Sequence, residues 1–206
     1  MVFGKTPLYR LWKGRMSAFW RRRRLMKLLR LAAVPEGARI LEAGCGEGKD
    51  VLQFLTGRGY ELWAADILER ALPWEDVSFV RADAAELPFA DGEFDLVITV
   101  GLLEHIEPLE KLCKVAGELR RVGKRQISVV PSLSTPLEPH SASPLWPWRL
   151  HRDKFGPQPD GTLRLNFLTD HSWTKLEPFS ACEVKRIWYL PGLVRNTVIY
   201  DPPGRP

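Results

Sequence analysis

Ile40-Leu41-Glu42-Ala43-Gly44-Cys45-Gly46-Glu47-Gly48-Lys49-Asp50 is the stretch on which the reading of the chain turns. The apolar run from Ala38 to Leu41 has the composition of a buried strand. It ends in three glycines at alternate positions, Gly44, Gly46 and Gly48, and Val51 to Leu55 then begins an amphipathic helix. Glycine admits positive φ and has no Cβ, so the backbone can turn sharply and approach a ligand closely. Strand, glycine turn and helix start together make a nucleotide-type crevice, with an ordinary tight turn as the competing reading. The spacing is G-x-G-x-G, with Lys49 where the dinucleotide fingerprint has its third glycine. No G-K-[ST] follows, so the stretch is not a P-loop.

The flanking chain repeats the strand–helix alternation. Tyr60 to Ala65 reads as a second strand that stops at Asp66, 22 residues after Gly44. An acid about 20 residues on, at the end of the second strand, is placed to take ribose hydroxyls; capping the next element is the alternative role. Val77 to Val80 reads as a third strand, running into Asp83-Ala84-Ala85-Glu86-Leu87-Pro88-Phe89. Phe94 to Val100 is near-continuously apolar, as a strand buried on both faces should be. A helix is expected from about Leu109 to Arg121 and a fifth strand from Gln126 to Val130. Strands and helices alternating over residues 38–130 predict an α/β fold, a Rossmann-like, doubly wound and mostly parallel sheet. A short helix around Ser172 to Leu176 and two strands, Cys182 to Leu190 and Val194 to Tyr200, follow. Pro191-Gly192 joins the strands as a C-terminal antiparallel hairpin, giving about seven strands in all.

Charge is divided unevenly. Residues 1–35 hold ten Lys/Arg and no acid, while the rest has 20 Lys/Arg against 25 Asp/Glu. The expected division is a basic helical N-terminal arm, residues 1–35, and a main domain, residues 36–206. Residues 6–33 read as one or two helices, with Ala18, Leu25, Leu28, Leu29, Leu31 and Ala32 on an inner stripe. Arg21, Arg22, Arg23 and Arg24 are expected around the other faces, solvated. The functional alternative is contact of residues 9–30, with Tyr9, Trp12, Phe19 and Trp20, with a membrane or other anionic surface. Nucleic-acid phosphates are a less favoured partner.

No apolar run reaches the 18 or so residues of a membrane span, and no secretory signal is evident. Cys45, Cys113 and Cys182 are odd in number and widely spaced, which points to a reducing cytoplasm. From Pro131 the texture changes: residues 131–160 hold seven prolines, and Pro144-Leu145-Trp146-Pro147-Trp148-Arg149 suits neither a strand nor a long helix. This Trp/Pro-rich insertion, about 131–168, is expected to be a lid or substrate wall, with Trp146, Trp148, His140 and His151 as substrate candidates.

Four stretches in one order resemble the class I S-adenosylmethionine-dependent methyltransferases, in particular the small-molecule group typified by ubiquinone and menaquinone biosynthesis enzymes. They are Glu42 to Gly48 as E/D-x-G-x-G-x-G, Trp63 to Asp66 as the second-strand acid, Asp83 to Phe89 as D-A-x-x-L-P-F, and Phe94 to Val97 with Leu103 to Ile106 as F-D-x-V and L-E-H-[VI]. The resemblance covers about residues 36–131. It implies S-adenosyl-L-methionine as cofactor and a small methyl acceptor, lipid-like or aromatic. Glu42, Ala43, Gly44, Cys45, Gly46 and Gly48 would hold the cofactor's methionine end. Asp66 would bind the ribose, with Ile67 against the adenine, Asp83 and Ala84 on the adenine edge, and Val100, Gly101 and Leu102 beneath the sulfonium. An RNA-directed methyltransferase using the basic arm, and a non-catalytic cofactor-binding protein, are the other readings.

A base is needed only for a weakly acidic acceptor. His105 is the candidate, with packing at the helix start as its alternative role. A metal is not expected, because some relatives carry E-x-x-E-H here and this chain has Gly101-Leu102-Leu103-Glu104-His105. Asp201-Pro202-Pro203-Gly204 is similar to the D-P-P-Y of adenine amino-methylators, but lies at the wrong place in the fold order.

Overall fold

A computed structural model describes residues 7–132, 134, 135, 168, 170–190, 192 and 194–202, with side chains from Ala18 onward except that of Leu190. Four helices are named here as α1 (Pro7–Ala32), α2 (Leu52–Leu55), α3 (Leu109–Val122) and α4 (Asp170–Lys175). The strands are β1 (Arg39–Ala43), β2 (Glu61–Asp66), β3 (Val77–Arg81), β4 (Leu96–Val100), β5 (Gln126–Pro131), β6 (Glu183–Leu190) and β7 (Val194–Tyr200). They form one seven-stranded sheet in the order β3-β2-β1-β4-β5-β7-β6. The first five are parallel, and β7 is antiparallel to both β5 and β6. The expected doubly wound sheet and C-terminal hairpin are both present. The order reverses between β1 and β4, and the crevice at the carboxyl ends of those strands is where such sheets bind ligands.

Side chains alternate across the sheet and so build two cores. Ile40, Leu96, Ile98, Ile127 and Val129 face α1 and α2. Leu41, Ala43, Val97 and Val130 face α3, Trp173 and Phe179. Phe94 precedes the β4 ladder and makes only an isolated bridge to Gly123, so the strand begins two residues later than its apolar run.

Helix α1 is a layer of the domain. Leu25 and Leu28 are fully buried, and Leu29 and Ala32 nearly so. Burying a leucine side chain is worth about 2 kcal/mol, so this stripe seats the helix firmly. Its C-terminal end is tied by Arg125, just before β5, which donates to the carbonyls of Ala32 and Ala33. Higher up, Arg24 pairs with Asp50, just after the glycine turn. The helix therefore descends from the carboxyl edge of the parallel strands to their amino edge. Arg24 corrects the expectation of four solvated arginines: it is only 6% exposed, held by Asp50 and by the Tyr189 ring 4.9 Å from its guanidinium carbon. Arg22 and Arg23 are exposed.

Candidate functional site

The glycine turn is fastened to the end of β2. Gly44 and Cys45 donate their backbone N–H groups to the carbonyl of Ala65 at 2.8 and 3.1 Å. The N–H of Gly46 donates to Oδ2 of Asp66 at 2.9 Å. Gly44, at φ +69°, lies so close to Leu102 that a Cβ there would stand 2.8 Å from its Cδ1. Glycine is required at this position by conformation and by space together.

Glu42 lies beneath the turn, 1% exposed, and its Oε2 accepts the N–H of Leu52 at 3.3 Å, capping the first turn of α2. Burial, then the nearby Asp50 carboxylate, push the Glu42 carboxyl well above its ordinary range, against the pull of the Leu52 N–H and Arg24. Cys45 is likewise buried, its thiol pushed up to about 12 by desolvation and then by Glu42 and Asp66, so it is not a thiolate at neutral pH.

Two cavities flank the turn. One, of about 90 Å³, is lined by Gly44, by Asp66, Ile67, Asp83 and Ala84 from the ends of β2 and β3, and by Leu102 and Ile106 after β4. Ile67 is 56% exposed, an apolar side chain left uncovered at the rim. Oδ1 of Asp66 accepts the N–H of Leu68 at 2.9 Å. Asp83 accepts from the Ala85 N–H at 2.9 Å and from Lys111 Nζ at 2.8 Å, and the lysine lowers its carboxyl below the usual range.

The second cavity, of about 290 Å³, opens at the carboxyl ends of β4 and β5, where Val100, Gly101, Val129 and Pro131 form its floor. Tyr189, Val194 and Asn196 of the hairpin make one wall, and Arg21 and Arg24 of α1, with Asp50, make another. Glu104, 1% exposed, also lines it, and its Oε1 would be 3.6 Å from a Cβ on Gly101. Gly101 lines this cavity and Leu102 the smaller one, so adjacent residues border the two.

The comparisons with known proteins agree with this layout. A model of the methyltransferase domain matches residues 17–173. The chain belongs to the methyltransferase-domain family. Demethylmenaquinone methyltransferase of Clavibacter sepedonicus is 36% identical over 119 residues, covering 53% of this chain and 47% of that protein. The 27-O-demethylrifamycin SV methyltransferase of Amycolatopsis mediterranei is 29% identical, covering 50% and 40%. The chain spans about half the length, or less, of the curated relatives it matches. Among solved structures, Burkholderia thailandensis 1,6-didemethyltoxoflavin-N1-methyltransferase, with bound S-adenosylhomocysteine, superposes with a TM-score of 0.60 at 20% identity over 92% of this chain and 79% of that one. At that identity the likeness shows the fold.

The class I methyltransferase family to which the chain belongs uses S-adenosylmethionine, and the walls described above suit that molecule. Two carboxylates, Asp66 and Asp83, line the smaller cavity, matching a ligand that offers hydroxyl and amino donors. An exposed isoleucine and two further apolar side chains, Leu102 and Ile106, line the same cavity and suit a flat base.

Sequence reasoning placed Gly44, Asp66, Ile67, Asp83, Ala84 and Leu102 as cofactor residues, and all six line the smaller cavity. Val100 and Gly101 line the larger one. Glu42, Ala43 and Cys45 are buried, and Gly46 lines a third cavity, of about 450 Å³, with Glu47, Lys49 and Arg70. His105 is in neither cavity's wall, whereas its neighbour Glu104 lines the larger one. Arg21, Arg24, Asp50 and Asn196 were not picked out, because nothing local in the sequence marks them as neighbours. His140, Trp146, Trp148 and His151 lie outside the described residues. Asp201 accepts the N–H of Gln126 at 2.9 Å, at the opposite edge of the sheet, which gives that motif a structural role.

Proposed function

We propose that the chain transfers a methyl group from S-adenosylmethionine to a small-molecule acceptor seated in the 290 Å³ cavity. The observation that carries this reading is the pair of cavities bordered by the adjacent residues Gly101 and Leu102, over the switch point of the sheet. Asp66 would accept from the ribose hydroxyls and Asp83, with the Ala84 backbone, from the adenine edge. Ile67 and Leu102 would enclose the base. Glu42 and the Gly44–Gly48 backbone would hold the methionine end, and Val100 to Leu102 would lie beneath the sulfonium. When bound, the cofactor supplies a methyl group already activated for displacement.

The chain's own part is to position the acceptor, exclude water and handle one proton. Val129, Pro131 and Val194 supply an apolar wall that favours an aromatic or lipid-like body. Glu104 is the buried carboxylate nearest Gly101 and is better placed than His105 to take a proton from the acceptor. Contact of residues 9–30 with a membrane surface remains a proposal; no helix among the described residues is long and apolar enough to cross a membrane.

The test is release of S-adenosylhomocysteine by the purified chain, assayed against fractionated metabolite extracts. Stimulation by a low-molecular-mass fraction supports the reading, and its loss in Glu104→Gln with cofactor binding intact supports the proton role. Steeply salt-dependent RNA binding with methylation of RNA only would replace it with a nucleic-acid substrate.

A further inference from the structure

Arg21 occupies a place that a solvated arginine would not. It stands at i−4 from Leu25 and i−3 from Arg24, on the inward stripe of α1, yet one helical turn beyond the last leucine buried against the sheet. Since Arg24 is tied to Asp50 at the carboxyl edge, Arg21 projects about 4.5 Å further out, over the mouth of the larger cavity that it lines.

The two arginines differ in how they are satisfied. Arg24 has the Asp50 carboxylate and the Tyr189 ring, although its Nε, like that of Arg21, is buried without a hydrogen bond. Among the described residues Arg21 has no carboxylate partner, and its Nε is buried without a hydrogen bond. A guanidinium drawn part-way out of water and left unpaired is costly, and an oxyanion relieves that cost by accepting two parallel N–H bonds. A second unsatisfied group lines the same cavity. Asn196, 6% exposed, spends Nδ2 on the Val130 carbonyl and leaves Oδ1 without a partner among the described residues. The end of the cavity at Val100, Gly101 and Glu104 carries a carboxyl group instead, so a ligand with its acidic group at the rim is matched to the arginine end.

We propose that the methyl acceptor is a carboxylate-bearing small molecule whose anionic group is bound by Arg21. This rests on the methyl-transfer reading. The cofactor has a carboxylate of its own, so the test must separate the two sources. Arg24, nearer the glycine turn, is already committed to Asp50, and Arg21 lies a turn further from it, which favours the acceptor.

The probes are benzoate and its neutral isostere benzamide, titrated into the full chain loaded with S-adenosylhomocysteine. The expected result is benzoate binding that exceeds benzamide binding and falls at least about tenfold in Arg21→Gln, with partial recovery in Arg21→Lys. S-adenosylhomocysteine and 5′-methylthioadenosine, which lacks the carboxylate arm, are titrated into the same variants and should bind as to the wild type, which also shows that the variants fold. Equal binding of the two probes, no benzoate binding, or benzoate binding unchanged by Arg21→Gln overturns the proposal. So does a selective loss of S-adenosylhomocysteine over 5′-methylthioadenosine in Arg21→Gln, which would give the arginine to the cofactor. Failure of the wild type to bind S-adenosylhomocysteine would instead defeat the methyl-transfer reading itself.

Discussion

Asp66 Oδ2 accepts the backbone N–H of Gly46 at 2.9 Å, across 20 residues of chain. The carboxylate that ends β2 thus shapes the glycine turn as well as facing the cavity. Its other oxygen takes the Leu68 N–H at 2.9 Å and stands 3.4 Å from Arg70. Asp66→Ala should leave the Gly46 and Leu68 donors unsatisfied and cost about 2 kcal/mol of stability. Asp66→Asn, which keeps one carbonyl oxygen, should cost about half that. Urea unfolding of the three proteins checks the order, and equal stability of all three would show that the turn does not need the carboxylate.

Gly44 and Gly46 both have positive φ, +69° and +53°, but only Gly44 faces a wall. A Cβ on Gly46 meets nothing within 4 Å, so Gly46→Ala should cost only the backbone term, about 1 kcal/mol. Gly44→Ala must also displace Leu102 and should cost about 2–4 kcal/mol, with the smaller cavity distorted. Thermal unfolding of the pair checks the difference.

Arg24 and Arg22 test how α1 is seated. Arg24→Ala removes a buried cation from Asp50 and Tyr189; Asp50 is 37% exposed, so its loss of a partner is partly relieved by water. The expected cost is about 2 kcal/mol. Arg22→Ala, on the exposed face, should stay within about 0.5 kcal/mol of the wild type. Similar costs for the two would contradict the inward placement of Arg24.

Glu42 carries a pH signature. Its carboxyl is raised in the folded chain, so the folded state binds its proton more tightly than the unfolded state. Its contribution is present below the unfolded pKa, about 4.3, and is lost as pH rises through the higher folded value. Glu42→Gln keeps an oxygen for the Leu52 N–H and removes the charge. The stability of Glu42→Gln relative to wild type should therefore rise as the pH is raised above about 4.3. Chemical unfolding at several pH values checks the slope, and a relative stability that falls with pH would contradict it.

The parallel sheet was legible because its central strands, β1, β4 and β5, are buried on both faces and read as largely apolar runs between turn signals. About seven strands were expected, and seven are present among the described residues. The cofactor wall was legible for a local reason: Gly44, Asp66 and Asp83 all lie at the carboxyl ends of strands, where chain order alone brings them together. The opposite wall was not. Arg24 meets Asp50 and Tyr189, 26 and 165 residues away, and a run of four arginines reads as a solvated face until those partners are known. Glu104 was passed over for His105 because an imidazole titrates near neutral pH, whereas the turn from Leu103 to His105 directs the neighbouring carboxylate to the cavity.

The most direct measurement is calorimetric titration of S-adenosylhomocysteine into the wild type and Asp66→Ala. The account predicts one site, with affinity on the order of micromolar in the wild type and weakened at least about tenfold by the substitution. No binding to the wild type, or equal affinity in Asp66→Ala while that variant remains folded, would contradict it.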